Sequence, residues 1–248
     1  MSFKIGKVVV NNNIESLNQT EHDGKMKYVP SISTSCQRNQ YCLARMKNKL
    51  AVCVECFANA LLTIRRNLEA AILLNLVILC DHLFTEQEAD SIRIKFTKKM
   101  LEWNPHKYTR IESFGDVACL TQARNYIRII KANPDCNFAI WSKNWNIWYQ
   151  AFELDGKPIN CTFVLSSLKI NVPDQVHEKI KPYVDHVFTV YEGEYAAANG
   201  VETNCAAKSC AACGRCYEHN PKDFWVNEKL RLKGGRKKKT QKRIRKAA

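Results

Sequence analysis

Eight of this chain's twelve cysteines fall in two short stretches, and their spacing constrains the fold more than any other feature. The later stretch, Asn204-Cys-Ala-Ala-Lys-Ser-Cys-Ala-Ala-Cys-Gly-Arg-Cys-Tyr, sets Cys205, Cys210, Cys213 and Cys216 in a C-x4-C-x2-C-x2-C array. Thiolates repel one another and form readily only beside positive charge, so four within twelve residues point to a bound cation. Spacers of alanine and glycine let the backbone wrap closely around it. Structural zinc usually draws two knuckles together from distant sequence, whereas successive x2 spacings suit a loop encircling an iron–sulfur cluster. A [4Fe–4S] cluster is therefore the favoured ligand of this array and zinc the alternative. His219 continues the every-third rhythm, which leaves a three-cysteine, one-histidine zinc site open.

The earlier stretch is looser. Cys53 and Cys56 form a C-x2-C knuckle, and Cys36 and Cys42 complete a set of four for a second metal site, unless the knuckle shares its metal with the later array. The C-x3-C-x2-C triplet of radical S-adenosylmethionine enzymes is missing, so that reaction is not expected. Cys80, Cys119, Cys136 and Cys161 stand singly among apolar neighbours and read as core packing.

Disulfides are not the expected use of these thiols. The first residues carry an apolar run too short for the centre of a signal peptide. The most apolar window, 68–80, contains Asn75 and is flanked by Arg65, Arg66 and Asp81, well short of the roughly 20 apolar residues that span a membrane. A soluble, cytoplasmic protein is expected, in a compartment where disulfides are rare. With 46% apolar and 25% charged residues in 248, the bulk of the chain has ordinary globular composition.

Residues 1–35 form a polar, turn-rich segment with a candidate strand over 4–10. Residues 36–231 read as an α/β metal-binding domain. A long helix is expected over 58–79, and a second starting at the capping box Thr85-Glu86-Gln87-Glu88 and ending before Pro105. Four β-rich runs follow at 109–114, 137–142, 161–167 and 186–191, separated by helical patterns over 120–132, 144–154 and, more briefly, 174–181. Strands so spaced need crossover connections and pair in parallel. The fold expected is a parallel sheet of about four or five βα units, either an open doubly wound sheet or a partial barrel, with cysteine-rich metal-binding loops. A short segment over 224–230 follows the second cysteine array.

Ligands of parallel α/β folds bind beyond the carboxyl ends of the strands. Here those ends carry Glu112, Asp116, Ser142, Lys143, Ser166, Ser167 and Tyr191. Asp116, Lys143 and Glu112 are the candidates for acid–base work. Arg110 and Glu112 alternate onto one strand face, which demands an ion pair or a polar cavity. Trp141, Trp145 and Trp148 follow helical spacing and read as one packed face.

Charge is concentrated at the end of the chain. No acidic residue follows Glu228, while eleven basic ones do; removing these from 38 Lys and Arg leaves 27 against 24 Asp and Glu. Residues 232–248, with Arg236, Lys237, Lys238, Lys239, Lys242, Arg243, Arg245 and Lys246, are expected to be a disordered tail. Such a polycation neutralises phosphates of DNA or RNA without reading their sequence. It lacks the apolar face that would favour a membrane.

Residues 30–231 resemble the phage gene product 88 family. The likeness rests on Ser31-Ile-Ser-Thr-Ser-Cys36, Cys53-x2-Cys56-Phe-Ala, Arg110-Ile-Glu-Ser-Phe-Gly-Asp116, Phe138-Ala-Ile-Trp-Ser-Lys-Asn144, Phe188-Thr-Val-Tyr191 and the array ending at Tyr217. Phe57 stands where the family has Tyr, and Ser142 where it has Thr; the basic tail lies outside the likeness. The resemblance implies a phage or prophage origin and a cysteine-bound metal, and names no reaction. Two functions follow: a metal-dependent enzyme acting on nucleotides or nucleic acid, or a zinc-stapled nucleic-acid-binding protein without catalysis.

Overall fold

A computed structural model describes residues 17–220, 222 and 224–230. The expected strand over 4–10 and the basic tail, including Arg236 to Lys246, lie outside the described residues. Seven strands form one open sheet in sequence order: β1 Gln19–Thr20, β2 Ser31–Ile32, β3 Tyr108–Ile111, β4 Asn137–Ser142, β5 Cys161–Ser166, β6 His186–Tyr191 and β7 Trp225–Lys229. β1 runs antiparallel to β2; β2 to β7 are parallel.

The four β-rich runs are thus strands of a parallel sheet. The first stops at Ile111 rather than residue 114 because Glu112 adopts φ 60°, a left-handed conformation that ends the strand. The segment over 224–230 supplies β7, and β2 is too short for its alternation to be legible.

Strand order without reversal decides the architecture. Right-handed crossovers between strands taken in succession pass over the same face; the connections from β2 to β6 do so, while the connection from β6 to β7 brings the later cysteine array onto the opposite face. Ile32, Ile111, Phe138, Ile140, Phe163, Leu165 and Val187 from the first face share one core with the helical side chains Ile78, Leu79, Tyr126, Ile127, Ile130, Trp148 and Phe152. A doubly wound sheet, one of the two expected forms, requires a reversal of order that this sheet lacks.

The helices are α1 Gln40–Lys47, α2 Phe57–Ile64, α3 Arg66–Asp81, α4 Glu86–Ser91, α5 Lys98–Trp103, α6 Leu120–Ala132, α7 Trp145–Asp155, α8 Gly193–Ala198 and α9 Cys210–Cys213. The single helix expected over 58–79 is two, α2 and α3, broken at Arg65. The helix expected from the Thr85 capping box is also two. That box is formed and starts α4, but Thr97 caps a separate α5. No α-helix forms over 174–181. Instead of capping one, Asp174 folds back on the end of β5: its carboxylate accepts from Leu168 N (3.1 Å) and its amide donates to Ser167 Oγ (3.0 Å). Among the described residues no helix is long and apolar enough to cross a membrane.

Asn75, the polar interruption of the most apolar window, is fully buried in α3 and binds the segment leading into the sheet. Its Oδ1 accepts from Asn18 N (2.7 Å), and its Nδ2 donates to the carbonyls of Asn18 (2.8 Å) and Ser33 (2.9 Å). Each buried partner left unsatisfied costs about 1–3 kcal/mol. Asn75→Leu is therefore expected to lower the free energy of unfolding by at least about 2 kcal/mol. Urea denaturation measures this, and a loss below about 0.5 kcal/mol, the size of an ordinary surface change, would contradict it.

Candidate functional site

The carboxyl ends of β2, β3, β4 and β5 are joined by buried hydrogen bonds that leave a cavity of about 480 Å³. All eight clustered cysteines line it: Cys36, Cys42, Cys53 and Cys56 from the earlier stretch, Cys205, Cys210, Cys213 and Cys216 from the later one. Glu112, Asp116 and Lys143 line it as well, with Ser142, Ser166 and Ser167. Stretches about 150 residues apart thus meet at one rim, where ligands of parallel α/β folds bind. The phenol of Tyr191 does not line it; that ring is buried and stacked on Tyr195 at 6.4 Å, and β6 contributes Phe188 and Val190 instead.

The two carboxylates are bound on every side. Glu112 accepts from Thr34 N (3.1 Å), Thr34 Oγ1 (2.8 Å), Gln122 Nε2 (2.8 Å) and Tyr126 OH (2.7 Å), which ties β3 to the β2 loop and to α6. Burial nevertheless pushes its carboxyl up to about 7, against the pull of those donors. Asp116 accepts from Val117 N (2.8 Å), Lys143 N (2.8 Å) and Ser142 Oγ, fastening the β3 loop to the end of β4. Gly115 allows that loop to close: a Cβ there would stand 2.5 Å from the Thr34 carbonyl. Of the two arrangements expected of Arg110 and Glu112, an ion pair or a polar cavity, no ion pair forms among the described residues and both line the cavity. Lys143 points its ammonium to Ser166 Oγ (2.9 Å), and its carbonyl accepts from Tyr41 OH (2.7 Å), which anchors α1.

Around the earlier cysteines the chemistry favours one thiolate. Cys56 caps α2, accepting from Asn59 N (3.5 Å). Its pKa falls to about 6, chiefly because Cys36 donates to it, aided by helix amides and Lys143. Cys36 is held protonated in return, and burial raises Cys42 and Cys53.

The later array, with its one-turn α9, lies across the sheet face opposite the longer helices. Tyr217 stacks on Tyr108 at 4.7 Å, Thr162 Oγ1 donates to the Cys216 carbonyl, and Cys205 N donates to Asn227 O of β7 (2.9 Å). Ser209 caps α9, and Gly214 ends it at φ 66° with its Cα against Tyr108; a Cβ there would meet that hydroxyl at 2.6 Å. Lys25 Nζ donates to Cys205 Sγ (3.0 Å) and pairs with Glu228 (3.1 Å). Burial raises Cys216 to about 12, and its three partner thiols add to the shift.

The chemistry of this donor set fits a thiophilic metal: soft sulfur donors gathered in fours, with Lys25, Arg110 and Lys143 beside them to offset thiolate charge. As the side chains stand, no group of three or more His, Cys, Asp or Glu among the described residues is arranged to hold a metal ion. His219 is engaged elsewhere, between Asp185 (2.8 Å) and the Ile159 carbonyl (3.2 Å), which removes it from the ligand set.

Three side chains behave differently from the sequence reading. Trp148 is in the core and Trp145 packs against it, but Trp141 lies on β4 and faces the cavity; the alternation Phe138-Ala139-Ile140-Trp141 carried that signal. Cys136 and Cys161 are core residues as expected. Cys80 and Cys119 are half-buried, with sulfurs 3.1 Å apart where α3 meets the start of α6.

A family model described as gene product 88 matches residues 8–247, and the chain belongs to this family of phage proteins. The match runs on through the basic stretch, which the motif likeness had placed outside it. Neither the curated proteins nor the solved structures contain a match to the chain.

The buried Glu112 carboxyl generates a pH dependence of stability. Folding holds its proton more tightly than the unfolded chain does, so its contribution is complete below the unfolded value near 4.5 and is lost as pH rises through about 7. Between about pH 5 and pH 8 the loss amounts to about 3 kcal/mol. Glu112→Gln, uncharged throughout, is expected to show a flatter stability profile in urea melts across that range. An unchanged decline in the variant would place the titration elsewhere.

Proposed function

We propose that this chain is a metal protein whose two cysteine stretches hold iron–sulfur chemistry, a [4Fe–4S] cluster foremost, beside a cavity for a polar ligand. The observation that supports this reading best is the arrival of eight cysteines from two distant stretches on one rim. Cys205, Cys210, Cys213 and Cys216 would hold one centre, and Cys36, Cys42, Cys53 and Cys56 a second. Binding requires thiol side chains to turn inward and lose their protons, which Lys25 and Lys143 assist by their charge. Such a centre would supply electron transfer or Lewis acidity. The chain's own groups divide the remaining work: Glu112 and Asp116 hold the strand ends in register, while Lys143 and Ser166 present donors to the ligand.

The ligand is read as a nucleotide or nucleic acid, on the strength of the basic residues 236–246. A second reading, a non-catalytic nucleic-acid-binding protein stapled by zinc, draws support from the later array itself. That stretch lies across the sheet face with Ala211 and Tyr217 as its fully buried apolar side chains, so a metal would make good a small core.

Anaerobically purified protein is expected to be brown, with iron and sulfide near four each per chain for one occupied site. Cys53→Ser and Cys213→Ser should each remove the metal of their own site only. Colourless protein with stoichiometric zinc would select the second reading, and folded protein free of both metals would refute both. Deleting residues 232–248 should abolish salt-sensitive binding to DNA and RNA in a filter or anisotropy assay, and binding that survives unchanged would clear the tail of that role.

A further inference from the structure

Among the described residues, four buried side-chain nitrogen or oxygen atoms lack a hydrogen-bond partner, and three of them line this one cavity: Arg110 Nε, Trp141 Nε1 and Ser113 Oγ. All three can donate. A buried donor left without a partner is disfavoured, so the concentration of three in a cavity of about 480 Å³, a size that suits small-molecule ligands, marks a place for an acceptor from outside the described residues.

Arg110 is the centre of this arrangement. It projects from β3 onto the sheet face opposite the longer helices, its guanidinium 3.8 Å from the centre of the Trp141 ring and its Nη1 against Met26 Sδ at 3.7 Å. It makes no ion pair among the described residues. The carboxylates that line the cavity nearby have other work: Glu228 pairs with Lys25, Glu112 binds Thr34, Gln122 and Tyr126, and Asp116 binds the β3 and β4 loops. A buried cation needs an anion or it is strongly disfavoured. Beside it, Trp141 packs on Phe188 at 4.4 Å, giving the pocket an apolar wall, while Lys143 and Ser166 mark its polar rim.

We infer that Arg110 and Trp141 form a subsite for the oxyanion, carboxylate or phosphate, of a small organic ligand whose body lies along Trp141 and Phe188. The guanidinium supplies charge and a planar fork of donors, the indole N–H a further bond from the side. The inference rests on the ligand cavity proposed above; because Cys210 and Cys216 also act on Arg110, metal content and anion binding are read separately.

The test is calorimetric titration of the full chain, as isolated, with two probes: malonate for a carboxylate and inorganic pyrophosphate for a phosphate. Metal content and far-ultraviolet circular dichroism are recorded on the same samples. At least one probe should bind saturably, and Arg110→Gln should weaken it about 10- to 100-fold, the loss of a charge-assisted bond. Trp141→Phe keeps the ring and removes only the N–H, so it decides the matter if Arg110→Gln does not fold; it should weaken the same probe about three- to tenfold. Preference for one probe identifies the oxyanion. Anion binding to the tail is unaffected by either substitution, so only the difference counts. Saturable binding by neither probe, or binding equally tight in Trp141→Phe, overturns the inference. Metal retained without binding that depends on these two residues would sink the subsite alone; such binding without metal would sink the metal reading alone.

Discussion

A parallel sheet whose strands follow one another in space as they do in sequence has its longer helices on one side, and the rest of this molecule depends on that constraint. The helical face buries the main core around Trp148, Phe163 and Tyr126. The opposite face is closed by the stretch containing Cys205 to Tyr217, whose helix is the one-turn α9, laid across Tyr108, Ala139 and Val164. The carboxyl edge is closed by the stretch from Cys36 to Cys56, which carries α1. Two cysteine-rich segments therefore cover the parts of the sheet that the longer helices leave open, and both open onto one cavity.

The edge itself is held by charge kept out of water. Glu112 and Asp116 are costly to bury, and the structure offsets that cost with donors from the β2 loop and α6 for Glu112 and from the next strand end for Asp116. The left-handed turn at Glu112 points its carboxylate into that network. This gives the two residues of the sequence motif between Arg110 and Asp116 a positioning role, and leaves Lys143, Arg110 and Trp141 as the polar groups with capacity to spare for a ligand. The distinction matters chemically, since a carboxyl group already bound by four donors of the fold has few lone-pair sites left for a ligand.

Much of this was legible in the sequence. Periodicity marked β3 to β6 and the full extent of α6, because each alternates or repeats over enough residues to show one buried face. β2 has two residues, too few to alternate, and the break at Arg65 is marked in the sequence only by the polar run Arg65-Arg66-Asn67. The 174–181 stretch reads as helical, yet Asp174 finds better partners on β5. The site residues were legible by spacing and by their place after strands, but their roles were not: which donors reach Glu112, and that no carboxylate among the described residues pairs with Arg110, depends on loops packing across one another. Trp141 was misread because tryptophans spaced as on a helix straddle the end of a strand.

The central proposal is that thiols from both stretches serve as metal ligands. X-ray absorption at the iron and zinc edges of anaerobically purified full-length protein tests this most directly. The account predicts a first shell dominated by sulfur at about 2.3 Å, diminished when either cysteine stretch is altered. A shell of oxygen and nitrogen alone, or one indifferent to both stretches, would contradict it.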